Sequence, residues 1–431
     1  MKTKLVHWYK AVGETFWFIP GAIVLAALVL ACLLIRVDAS VDMSLMHQWP
    51  FFFGAGADGA RGLLSAVATS MITVAGVVFS ITIVALALTS SQYTSRVLGH
   101  FMRDRINQVV LGVFVGVFAY CIVVLRIIRG SGQSAFVPSI AVLVSLILSF
   151  VGIAFLIYFI HHVSMSIQAS SIIGSVAQET FKTLDRLFPK TLKDLPENKR
   201  LAINLRSITW SEITARKTGY IEGIEYDALS TMAKKNKTII RMARGIGEFV
   251  AEGAALIYID TRPELARQLE SKIQRAYFIN ARRTMHQDIG FGIRQLVDIA
   301  LRALSPSVGD TTTAVMCVDY LGAILARIAQ RELSLCAYQE YFITLGPSFE
   351  ALLAEAFDQI RQDGKNNFAL LLALLKALQT IADQTSDAER KHALMHHVEL
   401  IANLARQAAS SPNDHTSVDV ILINFNESNK I

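Results

Sequence analysis

Charge is scarce in this chain. Asp, Glu, Lys and Arg make up 18% of its 431 residues, against 53% hydrophobic residues, a balance too apolar for an average soluble enzyme. The charge present is unevenly placed. Residues 1–161 hold ten Lys/Arg against five Asp/Glu, whereas 162–431 hold thirty-one against thirty. The second part lacks the basic stripe that nucleic acid requires, so no nucleic-acid partner is expected. Cysteine is sparse too: Cys32, Cys121, Cys317 and Cys336 sit at no metal-ligand spacing and suggest no disulfide framework, which fits a reducing compartment for the C-terminal part. There is no P-loop, no GxSxG elbow and no HExxH, so an enzyme is not expected, and neither is a cofactor. His392, His396 and Glu399 could share a helix face, but two helical histidines without further ligands read as a solvated surface, so no metal is expected.

The longest gap in charge is the most informative. Between Arg61 and Arg96 lie thirty-four residues, Gly62 to Ser95, without one charged or histidine side chain. As a helix they would span about 50 Å, more than a ~30 Å hydrocarbon core. Within them Thr69, Thr73, Gly76, Ser80, Ile83, Ala87, Ser90 and Thr94 follow at alternating spacings of four and three. This seam is small or hydroxylated at all places but Ile83. Small residues let helix backbones approach closely, and hydroxyls can bond across helices or line water. Thr69, Thr73, Gly76, Ser80, Ala87 and Ser90 are therefore candidates for a helix interface within the subunit, or for a pore or oligomer-axis lining.

Four apolar stretches, at about 16–35, 62–90, 109–125 and 137–160, predict four membrane spans within a domain of residues 1–163. Gly112 and Gly116 form a GxxxG helix-contact motif in the third. Four spans put both termini on one side. Three Lys/Arg near the N-terminus and three in 91–106, against two in each of the other loops, place that side in the cytoplasm of a bacterial inner membrane. Trp49 and Phe51–Phe53 suit a membrane interface on the far side.

After the spans, residues 164–200 predict a helical stalk and 201–262 a small β-module with glycine turns around Gly245, Gly247 and Gly253. The module resembles half of a biotinyl- or lipoyl-type domain, but Lys234, Lys235 and Lys237 do not sit in the tight hairpin such carriers need. Residues 263–410 predict a helical domain. Thr261 and Glu264, and Ser386 and Glu389, have capping-box spacing, and Asp310 can cap a helix from Thr311. Residues 411–431 read as a loose tail. The fold class is an α+β membrane protein, four transmembrane helices followed by a cytoplasmic region with a small β-module and helices.

The densest polar stretch in that region runs from Arg282 and Arg283 through Gln287 and Asp288 into Arg294, Asp298 and Arg302. The last three recur every four residues and so alternate in charge along one helix face. The stretch reads either as a solvated ladder or as a subunit interface or anion-binding edge built on Arg282, Arg283 and Arg294.

Two runs resemble a bacterial family of predicted membrane proteins, domain of unknown function 2254. One is Met71–Gly76 with Phe79–Thr82, Ser90–Tyr93, Arg103–Arg105 and Asn107–Val109. The other is Arg283-Thr284, Gln287-Asp288, Phe291–Leu296 and Ala300–Pro306. Where that family is expected to have Asn-Asp-Pro, this chain has Gly309-Asp310-Thr311. The resemblance implies an integral membrane protein with a cytoplasmic domain and no established activity. The lack of charge within the spans argues against ion-coupled transport. The functional expectation is an oligomer in contact with membrane lipid that forms a passive pore with a cytoplasmic regulatory domain; the alternative is a membrane-anchored scaffold or sensor without transport.

Overall fold

The computed structural model describes residues 17–40, 56–92, 104–129, 136–188, 210–260, 263–331, 333 and 341–429. The aromatic loop at Trp49–Phe53, the stalk beyond Phe188 and Thr261 of the first capping box lie outside them. The chain divides into two compact units, Met1–Gln168 and Ala169–Ile431.

The first unit is four helices: α1 (Phe18–Ser40), α2 (Ala57–Gln92), α3 (Arg105–Ile127) and α4 (Ser139–Ser166). They alternate in direction, as the bonds at their ends require. At one end the Asp38 carboxylate, from the last turns of α1, accepts from the Ile140 and Ala141 amides of α4 at 2.9 and 3.0 Å. It thereby caps a helix whose own N-cap, Pro138, offers no side-chain bond. At the same end Arg61 of α2 donates to the Ile128 carbonyl at 3.0 Å. At the other end Asp104, the N-cap of α3, lies 2.5 Å from His162 of α4. The interior is closed by Leu64, Met71, Val78, Phe114, Tyr120 and Phe159, all at most 5% exposed. Gly112 and Gly116 do bring α1 against α3. A Cβ at Gly112 would stand 2.8 Å from Ile23 Cδ1, and one at Gly116 3.4 Å from Ile23 Cγ2.

The second unit opens on α5 (Ala169–Leu187). A β-module follows, with strands β1 (Trp210–Thr214), β2 (Gly219–Ile224), β3 (Ile240–Met242), β4 (Phe249–Val250), β5 (Ala255–Asp260) and β6 (Tyr277–Asn280) and helices α6 (Tyr226–Asn236) and α7 (Pro263–Ala276). Strand β7 (Phe342–Ile343) arrives later and joins it. One sheet has the order β1-β5-β3-β7, antiparallel except for the parallel pair β3/β7; the other is antiparallel, β4-β2-β6. Ile213, Ile221, Ile240, Ile257 and Ile273 fill the space between. Lys234 and Lys235 end α6, and Lys237 is its left-handed C-cap at φ 49°.

The helical remainder is α8 (Ile289–Leu304), α9 (Thr311–Ala329), α10 (Phe349–Asp363), α11 (Phe368–Ala382), α12 (Ala388–Ala408) and α13 (Pro412–Asn429). Leu296, Leu321, Leu325, Phe357, Leu374 and Ile401 form its interior. Buried Arg331 donates to the carbonyls of Leu184 and Phe188 at 3.0 and 2.6 Å, satisfying the C-terminal end of α5. The stretch read as a loose tail is α13 instead. Its polar ends flank Val418, Ile421 and Phe425, which are 0%, 8% and 1% exposed. The cap of α12 is Asp387 and not Ser386; it accepts from the Glu389 and Arg390 amides.

Five helices among the described residues are long and apolar enough to cross a membrane: α1 to α4, over the four stretches expected, and α9. Only 11% of the apolar window of α1 and 17% of that of α4 are buried, against 56% for α9.

Candidate functional site

In the first unit the seam residues Thr69, Thr73, Gly76, Ser80 and Ala87 are all exposed, as is Ile83. A Cβ at Gly76 would meet nothing within 4 Å. The face that α2 packs against its own bundle is a different one, carrying Leu64, Ala68, Met71, Ala75, Val78 and Ala85. At about 100° per residue the two faces are nearly opposite. The seam is thus not the intra-subunit contact that its composition allowed. The Thr73 hydroxyl donates to the Thr69 carbonyl at 2.7 Å, and Thr82 and Thr89 likewise bond one turn back. Ser90 lies in α2, at its C-terminal end.

In the second unit the polar stretch is gathered where the β-module meets the helices. The backbone between β6 and α8 carries Arg283 beside Asp288. Arg283 Nε donates to Asp288 Oδ2 at 2.8 Å and Nη2 to Oδ1 at 3.1 Å. Asp288 is also the N-cap of α8, accepting from the Phe291 amide at 3.0 Å, where a carboxylate suits the helix dipole. Glu355 of α10 lies 3.8 Å from Arg283 on its other side, and the guanidinium stands 5.6 Å from the centre of the Phe291 ring. Burial pushes the Glu355 carboxyl above its usual range, partly offset by Arg283.

The β-module closes on this pair by backbone alone. Gly247 has φ 81°, and a Cβ there would stand 2.4 Å from Asp288 Oδ2. Gln287 adds a second tie, its Oε1 accepting from the Ile224 amide of β2 at 2.9 Å. Gly290 completes the wall, with a would-be Cβ 3.1 Å from Glu355 Oε2. Arg283, Gln287, Asp288, Gly290 and Glu355, with Glu248, Tyr226, Leu345 and Pro347, border a cleft of about 210 Å³.

The alternating face is paired and partly buried at Arg294 and Asp298 and exposed at Arg302. Arg294 bonds Asp298 at 2.8 Å and the Gln359 side chain of α10 at 2.6 Å, and Asp298 is 8% exposed. Arg302 lies in the last turn of α8. Of the three arginines singled out in the sequence, Arg283 and Arg294 are matched by carboxylates of this chain, and Arg282 is exposed. Asp310 stands apart as the cap of α9, accepting from the Thr313 amide at 3.0 Å. Sequence reasoning missed Gly247 and Glu355, which only the fold brings to Arg283. Among the described residues no cluster of three or more His, Cys, Asp or Glu could hold a metal.

A bundle of apolar helices with open outer faces, carried in one chain with a second unit built on strands and amphipathic helices, defines a multi-pass membrane protein. The chain belongs to the family described as predicted membrane protein (DUF2254), which matches residues 13–380. It is 34% identical over 371 residues to the uncharacterized proteins Mb1321c of Mycobacterium bovis and Rv1290c of Mycobacterium tuberculosis, covering 83% of this chain and 70% of each relative. No solved structure matches it.

Proposed function

We propose that this is a four-span, homo-oligomeric protein of the bacterial inner membrane whose copies meet along the α2 seam and enclose a passive pore there, with the second unit as a cytoplasmic regulatory domain. The observation that carries this reading is the outward exposure of Thr69, Thr73, Gly76, Ser80 and Ala87. Lipid rewards larger side chains, so a small, hydroxylated stripe turned away from its own bundle suits another helix or water. The protomer's own interior is filled by Phe114, Tyr120 and Phe159, which leaves the space between copies for a path. The middle of the four spans holds no Asp, Glu, Lys, Arg or His, which fits passive conduction gated by apolar stretches.

The fifth apolar helix, α9, belongs in this reading to the core of the second unit. Its buried residues Cys317, Val318, Leu321 and Leu325 face partners within that unit, and Arg327 pairs with Asp185 of α5 at 2.8 Å. The positive bias at 1–10 and 91–106 supports a cytoplasmic position for both termini. A reporter fused after Ile431 should be active only in the cytoplasm; periplasmic activity would overturn the orientation.

The internally bonded threonines of α2 favour a second reading, a scaffold whose seam is a dry interface. Reconstitution separates the two. The pore reading expects current or solute flux that Thr73→Arg alters; an intact oligomer with no flux under any salt or tension leaves the scaffold.

A further inference from the structure

A second cleft in the second unit lies away from Arg283. It is about 470 Å³ and is lined by Arg241, Arg244, Tyr258, Ala255, Thr344 and Leu345, among others, within the size range of small-molecule sites. Its place in the sheet is distinctive. β3 and β7 are the parallel pair, in register at Ile240/Phe342 and Arg241/Ile343, and the cleft opens where their carboxyl ends leave the ladder.

The lining has a definite chemistry. Arg241 is in register with Tyr258 on the neighbouring strand β5, so the two share a face of the sheet. Arg241 is exposed and makes no ion pair among the described residues. Arg244 is held at the rim by Glu248, 3.2 Å away, which is itself fixed by the Gly245 amide at 2.8 Å. Glu212 stands in register with Tyr258 on the far side, so the arginine side is the one that suits an anion. Guanidinium groups bind phosphate by paired, charge-assisted bonds, and a tyrosine face stacks on flat rings.

We propose that this cleft binds an anionic small molecule of mononucleotide size, its phosphate between Arg241 and Arg244 and its ring against Tyr258. The site does not depend on the pore reading, since binding is measured without flux. The test is calorimetric titration of the full-length protein in detergent with AMP, adenosine and inorganic phosphate. AMP should bind more tightly than either fragment. Arg241→Ala, Arg244→Ala and Tyr258→Ala should each weaken it by about tenfold, and Arg282→Ala, exposed elsewhere in the unit, should leave it unchanged. Melting temperatures show whether each variant is folded; Arg241→Gln and Arg244→Gln replace any alanine variant that is not. No AMP binding at millimolar concentration, or binding that the arginine variants leave intact, overturns the site. Inorganic phosphate binding as tightly as AMP overturns the role given to Tyr258.

Discussion

Asp288 holds Arg283 through two bonds, at 2.8 and 3.1 Å, and caps α8 through a third. One carboxylate therefore fixes the loop before the helix, the helix itself and, through the close approach of Gly247, the turn of the β-module. Arg283 is 23% exposed and Asp288 7%, so the pair is largely desolvated. Removing the arginine leaves the buried Asp288 carboxylate without its paired cation and takes from Glu355 the nearer of its two. Arg283→Met should cost about 3 kcal/mol, and Arg283→Lys should recover little of it, because an ammonium cannot make the paired contact. Chemical denaturation reads both; a loss below about 0.5 kcal/mol for Arg283→Met would mark the pair as an ordinary surface bridge.

The contact of α5 with α8 is a matter of volume. A Cβ at Gly292 would lie 2.1 Å from Thr180 Oγ1, and Thr180 is fully buried. Gly292→Ala should destabilise the protein by about 1–3 kcal/mol through overpacking. Adding Thr180→Ala should restore part of that loss, so the pair is coupled in a double-mutant cycle. Additive effects would show that the helices separate freely there.

His397 supplies a pH dependence. It is buried at 5% exposure in α12, 3.7 Å from Asp358, and burial holds its pKa below the ordinary 6.5, with Asp358 acting in the opposite sense. The unfolded chain then takes up the proton before the folded one, so this residue's contribution is complete above pH 6.5 and is lost as pH falls through the lower, folded value. Between about pH 7.5 and 5.5 the melting temperature of the parent should fall more than that of His397→Gln. Parallel melting curves would remove His397 from the account.

Much of this was legible in the sequence, and the failures have physical causes. The four apolar stretches and the seam in α2 needed only composition and period. The direction of the seam did not follow, because α2 is apolar on both faces and only the bundle decides which one is covered. Arg294 and Asp298 are four apart on a helix, so their pairing could be read directly. Arg283 and Asp288 are joined across a non-helical turn, and Gly247 and Glu355 reach them only through the tertiary fold. In α13 the spacing of Val418, Ile421 and Phe425 carried a helical signal that the polar residues around it obscured.

The central claim is that copies of the chain meet along α2. Single cysteines at Gly76 or Ser80, in a background lacking Cys32, Cys121, Cys317 and Cys336, can be cross-linked in native membranes by a short bis-maleimide. The control is a cysteine at Ile157 of α4, which is 65% exposed. Efficient covalent dimers at Gly76→Cys and Ser80→Cys with little at Ile157→Cys are the predicted result. Cross-linking at the seam no greater than at Ile157 would contradict it.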